Sequence, residues 1–199
     1  MNVHIRIRAV KMAEFTFEQT KLEGCIIVTP QIFKDARGYF MEIYQKEKFE
    51  AAGIPADFVQ DNQSKSSKGV LRGMHFQKEK PQGKLVRAIS GSVFDVAVDL
   101  RPDSKTFKQW VGVELSAENG KQLFVPKGFA HGFLVLTETA EFNYKCTDYY
   151  APQDEGGLFY ADEDIKINWP DIGREYVLSE KDQNAKRANE QTFDYFLGR

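Results

Sequence analysis

Cysteine is scarce in this chain of 199 residues, and long apolar runs are missing. The two cysteines, Cys25 and Cys146, form neither a C-x-x-C pair nor a zinc-type spacing, which argues against a disulfide scaffold and against a cysteine-based metal site. No apolar run approaches the ~20 residues of a membrane-spanning helix, and the N-terminus has no signal-peptide core. We therefore expect a cytoplasmic protein.

An excess of charge of one sign is also missing. The chain has 27 basic and 29 acidic residues, so its net charge of -2 favours neither nucleic acid nor a membrane surface as the main partner. The phosphate-binding patterns G-x-G-x-x-G and G-x-x-x-x-G-K-S/T are absent, which disfavours a nicotinamide-dependent or NTP-driven activity. The length and the 42% share of hydrophobic residues fit one folded domain.

Short strand-like segments separated by turns fill most of the sequence. They cover residues 85–89, 93–100, 110–115, 121–125, 132–136 and 141–145. The first two flank Ser90-Gly91-Ser92, which predicts a β-hairpin. Alternation along the second puts Phe94, Val96, Val98 and Leu100 on one face and Asp95, Ala97 and Asp99 on the other. Many short strands with such turns predict an all-β sandwich or barrel.

Helical segments are few and short. Residues 45–52 are rich in helix formers and end before Gly53, and the chain after Trp169-Pro170 turns polar and helical. We expect the C-terminal segment to pack outside the sheet. Residues 1–11 alternate with the period of a strand, so they are interpreted as an N-terminal extension or an added edge strand, and residues 12–199 as a single domain.

The three histidines are His4, His75 and His131, so imidazole chemistry falls on the last two. Residues 120–131 read G-x5-P-x-G-x2-H, which resembles the second motif of the cupin jelly-roll barrels. Residues 69–77 resemble the first motif, but Gln77 replaces its second histidine and its glutamate is missing. A metal cupin needs three or four N/O ligands around one ion. We therefore expect a metal-free cupin barrel, in which an imidazole is free for proton transfer.

More of the chain is similar to one family, the dTDP-4-dehydrorhamnose 3,5-epimerases. The similarity runs over about residues 24–182 and rests on 71–77 (LRGMHFQ), 82–87 (QGKLVR), 94–99 (FDVAVD), 129–133 (FAHGF) and 143–145 (NYK). It implies a homodimer that needs no cofactor. It also implies inversion of C3 and C5 in dTDP-4-dehydro-6-deoxy-D-glucose, which gives dTDP-4-dehydro-L-rhamnose for surface polysaccharide.

The resemblance also implies roles for individual residues. His75 matches the family base, and Asp182 matches the carboxylate paired with it. Lys84 matches the lysine near the C4 oxygen, where a cation stabilises a developing enolate. Tyr144 matches the tyrosine that returns a proton on the opposite face of the sugar. A supporting polar pair is matched by His131 and Asp95, and His131 is also assigned to substrate binding.

The nucleotide end of the substrate has its own matches. Arg72 matches a diphosphate contact, Gln60 and Asn62 match further nucleotide contacts, and Tyr150 is expected to close the same side. Another set lies on a strand that the family donates across its dimer. This set comprises Arg37, Phe40 and Glu42.

Several assignments have plainer alternatives. Asp182 lies three residues after Ser179, which is also the spacing of a helix capping box. Arg72 and His75 are three residues apart, so both reach one cavity only if Gly73 marks a bulge or bend. For the whole chain, the alternatives are a cupin that inverts only C3 or only C5, a sugar-nucleotide ketoisomerase, and a non-catalytic cupin that binds a sugar nucleotide.

Overall fold

The computed structural model describes residues 14–55 and 57–198, so the predicted extension over residues 1–11 lies outside the described residues. Two short α-helices occur in this part of the chain, α1 (Lys46–Ala51) and α2 (Glu180–Gln183). The strands are β1 (Phe15–Gln19), β2 (Ile26–Pro30), β3 (Ile32–Asp35), β4 (Gly38–Met41), β5 (Gln60–Ser67), β6 (Leu71–Gln77), β7 (Lys84–Ser90), β8 (Ser92–Asp99), β9 (Trp110–Ser116), β10 (Gln122–Val125), β11 (Phe129–Val135), β12 (Thr139–Cys146) and β13 (Glu155–Gly157). No helix among the described residues has the length and apolar character needed to cross a membrane.

Two antiparallel sheets face each other and enclose the main core. One has six strands in the order β1-β2-β10-β7-β12-β5, and the other has five in the order β13-β6-β11-β8-β9. Buried side chains from both sheets meet between them, among them Val86, Phe142, Ala97 and Leu115. This arrangement confirms the predicted all-β cupin jelly-roll barrel. Strands β3 and β4 form a separate hairpin.

The predicted hairpin between residues 85–89 and 93–100 is wrong. Strand β7 pairs with β10 and β12, whereas β8 pairs with β9 and β11 in the other sheet. The chain crosses between the sheets at Gly91, which has a φ of +70°, and a Cβ there would lie 2.2 Å from the Thr139 carbonyl oxygen. A short glycine turn fits a barrel corner as well as a hairpin, and only the distant partner strands distinguish the two.

The predicted alternation along β8 is confirmed. Phe94, Val96 and Val98 face outward and pack with the C-terminal segment, including Phe193 and Phe196. That segment covers the five-stranded sheet from outside, as expected from its sequence. Strand β11 begins at Phe129 rather than at residue 132, so it includes His131, which lies outside the predicted strand.

The predicted N-terminal helix is also confirmed. Helix α1 is capped by the Gln45 side chain, which accepts a hydrogen bond from the Lys48 backbone N–H. Its buried Phe49 packs edge-on against Phe15 and Phe17 on the outer face of the six-stranded sheet. The helix therefore covers the outside of the barrel and leaves the interior to the strands.

Candidate active site

A cavity of about 300 Å³ opens between the sheets, where β5 and β7 begin and β6 and β12 end. His75, Gln77 and Glu155 line it from the five-stranded sheet, whereas Lys84 and Tyr144 line it from the facing six-stranded sheet. The remaining lining residues are Gln60, Asn62, Phe76, Gln82 and Tyr150. Six predicted site residues thus share one cavity: His75, Lys84, Tyr144, Gln60, Asn62 and Tyr150.

Strand register explains why these side chains meet. On the six-stranded sheet, Asn62 lies opposite Tyr144 across β5 and β12, and Cys146 lies opposite Lys84 across β12 and β7. Residues two apart on a strand share a face, so these side chains form two neighbouring rows that point into the barrel. On the other sheet, His75 lies opposite His131.

His75 is paired with Asp182. The ring Nε2 lies 2.6 Å from Asp182 Oδ1, and the carboxylate is buried with 4% exposure, whereas the imidazole is partly exposed. Helix α2 delivers the carboxylate from 107 residues further along the chain. Such a pair orients the ring and leaves its other nitrogen without this partner.

Asp182 serves the helix and the histidine at the same time. Its backbone N–H donates to Ser179 Oγ, which is the capping bond expected from the spacing, and this leaves the carboxylate for His75. Burial by itself would raise the pKa of Asp182. The hydrogen bond and charge of His75, together with the Ser179 hydroxyl and the Gly73 N–H, outweigh burial and lower that pKa.

A β-bulge resolves the spacing conflict between Arg72 and His75. Strand β11 matches His131 to His75 but Phe133 to Arg72, so β6 carries one extra residue between the two pairs. The Arg72 guanidinium then reaches Ser66 Oγ at 3.0 Å. Ser66 is on the face of β5 that carries Gln60 and Asn62, so Arg72 and His75 lie on the same side of their strand, as the predicted bulge requires.

Burial shifts the pKa values of two lining residues, Lys84 and Tyr144. It lowers the pKa of Lys84, and the nearby Cys146 and Glu155 oppose this shift only in part. Burial raises the pKa of Tyr144, and Arg72 only partly opposes this rise. The raised pKa keeps Tyr144 a neutral phenol with a proton to donate.

His131 and Asp95 form a second pair deeper in the barrel. His131 Nε2 lies 2.9 Å from Asp95 Oδ2, and both side chains are buried. The imidazole stacks on Phe142 with ring centroids 6.1 Å apart. The pair sits beside His75 but outside the set of residues that line the 300 Å³ cavity. Asp95 shares the face of β8 that carries the core residue Ala97, so its carboxylate points into the barrel.

The cavity rim contains polar residues that the sequence did not single out. The Tyr150 hydroxyl donates to Glu155 at 2.9 Å, and Lys181 Nζ lies 2.5 Å from the same carboxylate. Burial alone would raise the pKa of Glu155, but the bonds from Lys181 and Tyr150 lower it. The positions of Glu155 and Lys181 at the rim depend on strand pairing and helix placement over long sequence separations. No local sequence pattern could therefore have identified them.

Arg37, Phe40 and Glu42 are not brought to this cavity within one chain. The side chain of Arg37 is 90% exposed and pairs with Asp35 at 2.6 Å. Phe40 lies on the β3–β4 hairpin and is 68% exposed, and Glu42 pairs with Lys48. Arg37 and Phe40 are therefore exposed to solvent in the single chain.

The protein groups fit proton transfer at a carbon next to a carbonyl. An oriented imidazole, a phenol and the Lys84 side chain surround one small volume, and the first two approach it from opposite sheets. Over residues 14–55 and 57–198, the structure contains no cluster of three or more His, Cys, Asp or Glu side chains arranged to hold a metal ion.

Comparison with known proteins agrees with this chemistry. The family model described as dTDP-4-dehydrorhamnose 3,5-epimerase matches residues 19–190. Two relatives with that name come from Methanothermobacter thermautotrophicus and Escherichia coli. They are 52% and 53% identical to this chain, and the matches cover 90% and 86% of this chain and 97% and 94% of the relatives.

A solved structure shares the fold at similar identity. The dTDP-6-deoxy-D-glucose-3,5-epimerase of Legionella pneumophila, in complex with dTDP-4-keto-L-rhamnose, superposes with a TM-score of 0.85 at 50% identity. The superposition covers 88% of this chain and 94% of that one. With a family match over most of its length and relatives above half identity, the chain belongs to the dTDP-4-dehydrorhamnose 3,5-epimerase family of isomerases.

Proposed function

We propose that the cavity between the two sheets binds dTDP-4-dehydro-6-deoxy-D-glucose and that His75, Asp182, Lys84 and Tyr144 invert its C3 and C5. Both carbons neighbour the C4 ketone, so loss of a proton from either one leaves an enolate. The observation that carries the proposal is the placement of His75 and Tyr144 on facing sheets, with the cavity between them.

His75 is the proposed base. Because Nε2 is bonded to Asp182, the other ring nitrogen takes the proton from the carbon, and the resulting imidazolium is stabilised by the carboxylate. The electron pair of the broken C–H bond moves onto the C4 oxygen. Lys84 is the proposed partner of that oxygen, because it lines the same cavity and a cation there would stabilise the developing negative charge.

Tyr144 is the proposed acid. It gives its hydroxyl proton to the carbon from the face opposite His75, which converts proton exchange into inversion. The raised pKa of Tyr144 keeps the phenol protonated before the step. Solvent then takes the proton from the imidazolium and returns one to the phenolate, so both groups are restored for the second carbon.

The nucleotide end is assigned to the polar rim. Arg72 supplies a cation for the diphosphate, and Gln60, Asn62 and Tyr150 contact the base and sugar of the nucleotide. His131 and Asp95 support the floor beside His75. Glu155 is placed between Tyr150 and Lys181, so it fixes the rim against the helix that carries Asp182.

We also propose a homodimer in which the β3–β4 hairpin reaches the partner's cavity. The hairpin exposes Tyr39 and Phe40, at 60% and 68%, and large exposed aromatics are typical of interface anchors. Arg37, exposed at the hairpin turn, and Glu42, which follows β4, would then contact the nucleotide of the other protomer. Within their own chain, both residues lie outside the set that lines the cavity.

The test is an NMR time course in D₂O with the family substrate. Wild type should incorporate deuterium at both C3 and C5 and invert both. His75→Asn should lose exchange at both carbons by about 10²–10⁴-fold while the dissociation constant of dTDP changes little. Exchange that falls less than about tenfold would move the base to another residue, and inversion at one carbon alone would make the chain a mono-epimerase.

A further inference from the structure

Gln77 lies in the cavity wall with every polar group of its side chain in use. It is two residues beyond His75 on β6, opposite Glu155 on β13, and only 4% exposed. Its Nε2 donates to the carbonyl oxygens of Lys80, at 2.7 Å, and Tyr149, at 3.3 Å. Its Oε1 accepts from the Ala151 backbone N–H at 2.9 Å.

These bonds join two loops at the rim. Lys80 belongs to the loop between β6 and β7, and residues 149–151 follow β12. Tyr150 lies between the two backbone groups that Gln77 bonds in the second loop. Its own backbone N–H donates to Gln60 Oε1, and its hydroxyl donates to Glu155. Gln77 thus forms hydrogen bonds with the backbone on both sides of this exposed tyrosine.

A glutamine suits this position better than a side chain of one polarity. The site presents two carbonyl acceptors and one N–H donor, and an amide of this length matches all three at once. A carboxylate would meet the two carbonyl oxygens with no donor of its own, and an apolar side chain would leave three backbone groups without partners. The loop geometry therefore depends on both ends of the Gln77 amide.

We propose that Gln77 is a positioning residue that acts through Tyr150. It holds the 149–151 backbone in the position that places the tyrosine ring over the nucleotide end of the cavity. This inference rests on the function proposed above for Tyr150. It assigns Gln77 to substrate affinity and not to the proton transfers, because its amide nitrogen and oxygen are both bonded to backbone groups.

The kinetic test is Gln77→Glu with Gln77→Met as its uncharged partner. Each should raise KM for the sugar nucleotide at least about tenfold and leave kcat within about threefold of wild type. Gln63→Glu is the matched control, because it adds the same charge to the exposed outer face of β5, away from the cavity. A fall in kcat at unchanged KM would overturn the proposal, because it would place Gln77 at the reacting carbons.

A double-mutant cycle tests whether the effect passes through Tyr150. In a Tyr150→Ala background, Gln77→Glu should raise KM by less than about twofold. If the full increase persists in that background, Gln77 acts elsewhere and the proposal fails. If Tyr150→Ala leaves KM unchanged, the function proposed for Tyr150 fails, and with it the kinetic part of this inference.

Amide hydrogen exchange tests the tether without substrate. The Tyr150 and Ala151 N–H groups donate to Gln60 and Gln77, so exchange in the 149–151 backbone should accelerate at least about tenfold in Gln77→Met and remain at the wild-type rate in Gln63→Glu. Unchanged exchange in Gln77→Met would show that the loop does not depend on this residue. The unfolding midpoint of each variant is measured first, so that the kinetic and exchange measurements are made on folded protein.

Discussion

Asp182 shows how one residue joins a local motif to a distant site. Its backbone N–H completes the cap of α2, and its carboxylate reaches His75 across the sequence. The two interactions use different atoms, so a cap and a catalytic pair are not exclusive. The Ser179 hydroxyl serves the cap and also lowers the pKa of the carboxylate, so Asp182→Asn is the substitution that removes the carboxylate and keeps the capping bond.

Asp182→Asn should therefore lower activity and keep the cap. We expect kcat to fall by about 10- to 1000-fold, because the amide no longer stabilises the imidazolium. Ser179→Ala, the matched variant, should cost about 1 kcal/mol of stability and leave kcat within a few-fold of wild type. The measurement is kcat beside the free energy of unfolding, and a stability loss without a kcat loss in Asp182→Asn would make Asp182 a structural residue only.

The pH dependence of stability follows from the same carboxylate. The pKa of Asp182 is lower in the folded chain than in the unfolded one. Its ionised form therefore stabilises the fold above the unfolded-state pKa, and this contribution is lost as the pH falls through the folded-state pKa. Asp182→Asn removes the dependence, so its free energy of unfolding should change less than that of wild type between about pH 6 and about pH 3.

At the scale of elements, the bulge in β6 decides whether Arg72 and His75 serve one site. Gly73 has a φ of +124°, and a Cβ there would lie 2.6 Å from Gly132 Cα and 2.8 Å from the His131 carbonyl oxygen. The neighbouring strand β11 thus approaches too closely for any side chain. The glycine lets the extra residue fit while the pairing continues on both sides of it.

Gly73→Ala should destabilise the fold by at least about 2 kcal/mol, because the clash is with backbone atoms and β11 must move. Since His131 and His75 lie across from each other at this point, activity of the folded fraction should fall as well. Gly53→Ala is the matched control, since Gly53 also has a positive φ, +81°, but a Cβ there would meet no atom within 4 Å. Equal losses of stability in the two variants would show that backbone strain alone accounts for the effect, without the contact between the added Cβ and β11.

Some of these elements could be predicted from the sequence and others could not. Periodicity and turn residues predicted the helix over 45–52, the alternation along β8 and the all-β class, because these depend on local spacing. The bulge was predictable because two assigned residues had a spacing that a flat strand forbids. The partners of β7 were not, because Ser90-Gly91-Ser92 suits a corner and a hairpin equally and sheet membership depends on strands far away in the chain.

The site divides in the same way. Residues within matched motifs, such as His75, Lys84 and Tyr144, line one cavity, and their proposed roles stay predictions. Gln77, Glu155 and Lys181 were missed, because their positions follow from cross-strand register and loop contacts. The sequence shows Gln77 as a departure from the metal-cupin pattern, but its bonds to two loops depend on the three-dimensional structure.

For the whole molecule, the proposed dimer makes a prediction about shared sites. If Arg37 serves the partner's cavity, Arg37→Ala and His75→Asn should each have low activity alone. A mixed dimer with one protomer of each variant should contain one intact cavity. Equal mixing after dissociation should then recover up to about a quarter of wild-type activity. Mixing without subunit exchange is the control. No recovery, with mixed dimers shown to form, would mean that Arg37 acts within its own protomer or not at all.

Two groups divide the proposed proton transfers across the cavity: His75 removes the proton from one face of the sugar and Tyr144 returns one to the other. Tyr144→Phe keeps the base, Lys84 and the cavity shape, and removes only the hydroxyl group. Label and configuration are then expected to separate. Deuterium should still enter from solvent, because the enolate forms and is reprotonated on the side it left, while inversion falls steeply.

The decisive measurement is one NMR time course in D₂O on wild type and Tyr144→Phe, which follows label and configuration at C3 and C5 separately. We expect the variant to exchange deuterium at a rate near that of wild type but to invert one or both carbons at least about a hundredfold more slowly. Inversion of both carbons at near the wild-type rate would contradict the proposed roles. So would a small, parallel loss of exchange and inversion, which is the effect of losing one hydrogen bond of about 1 kcal/mol in the wall of the barrel.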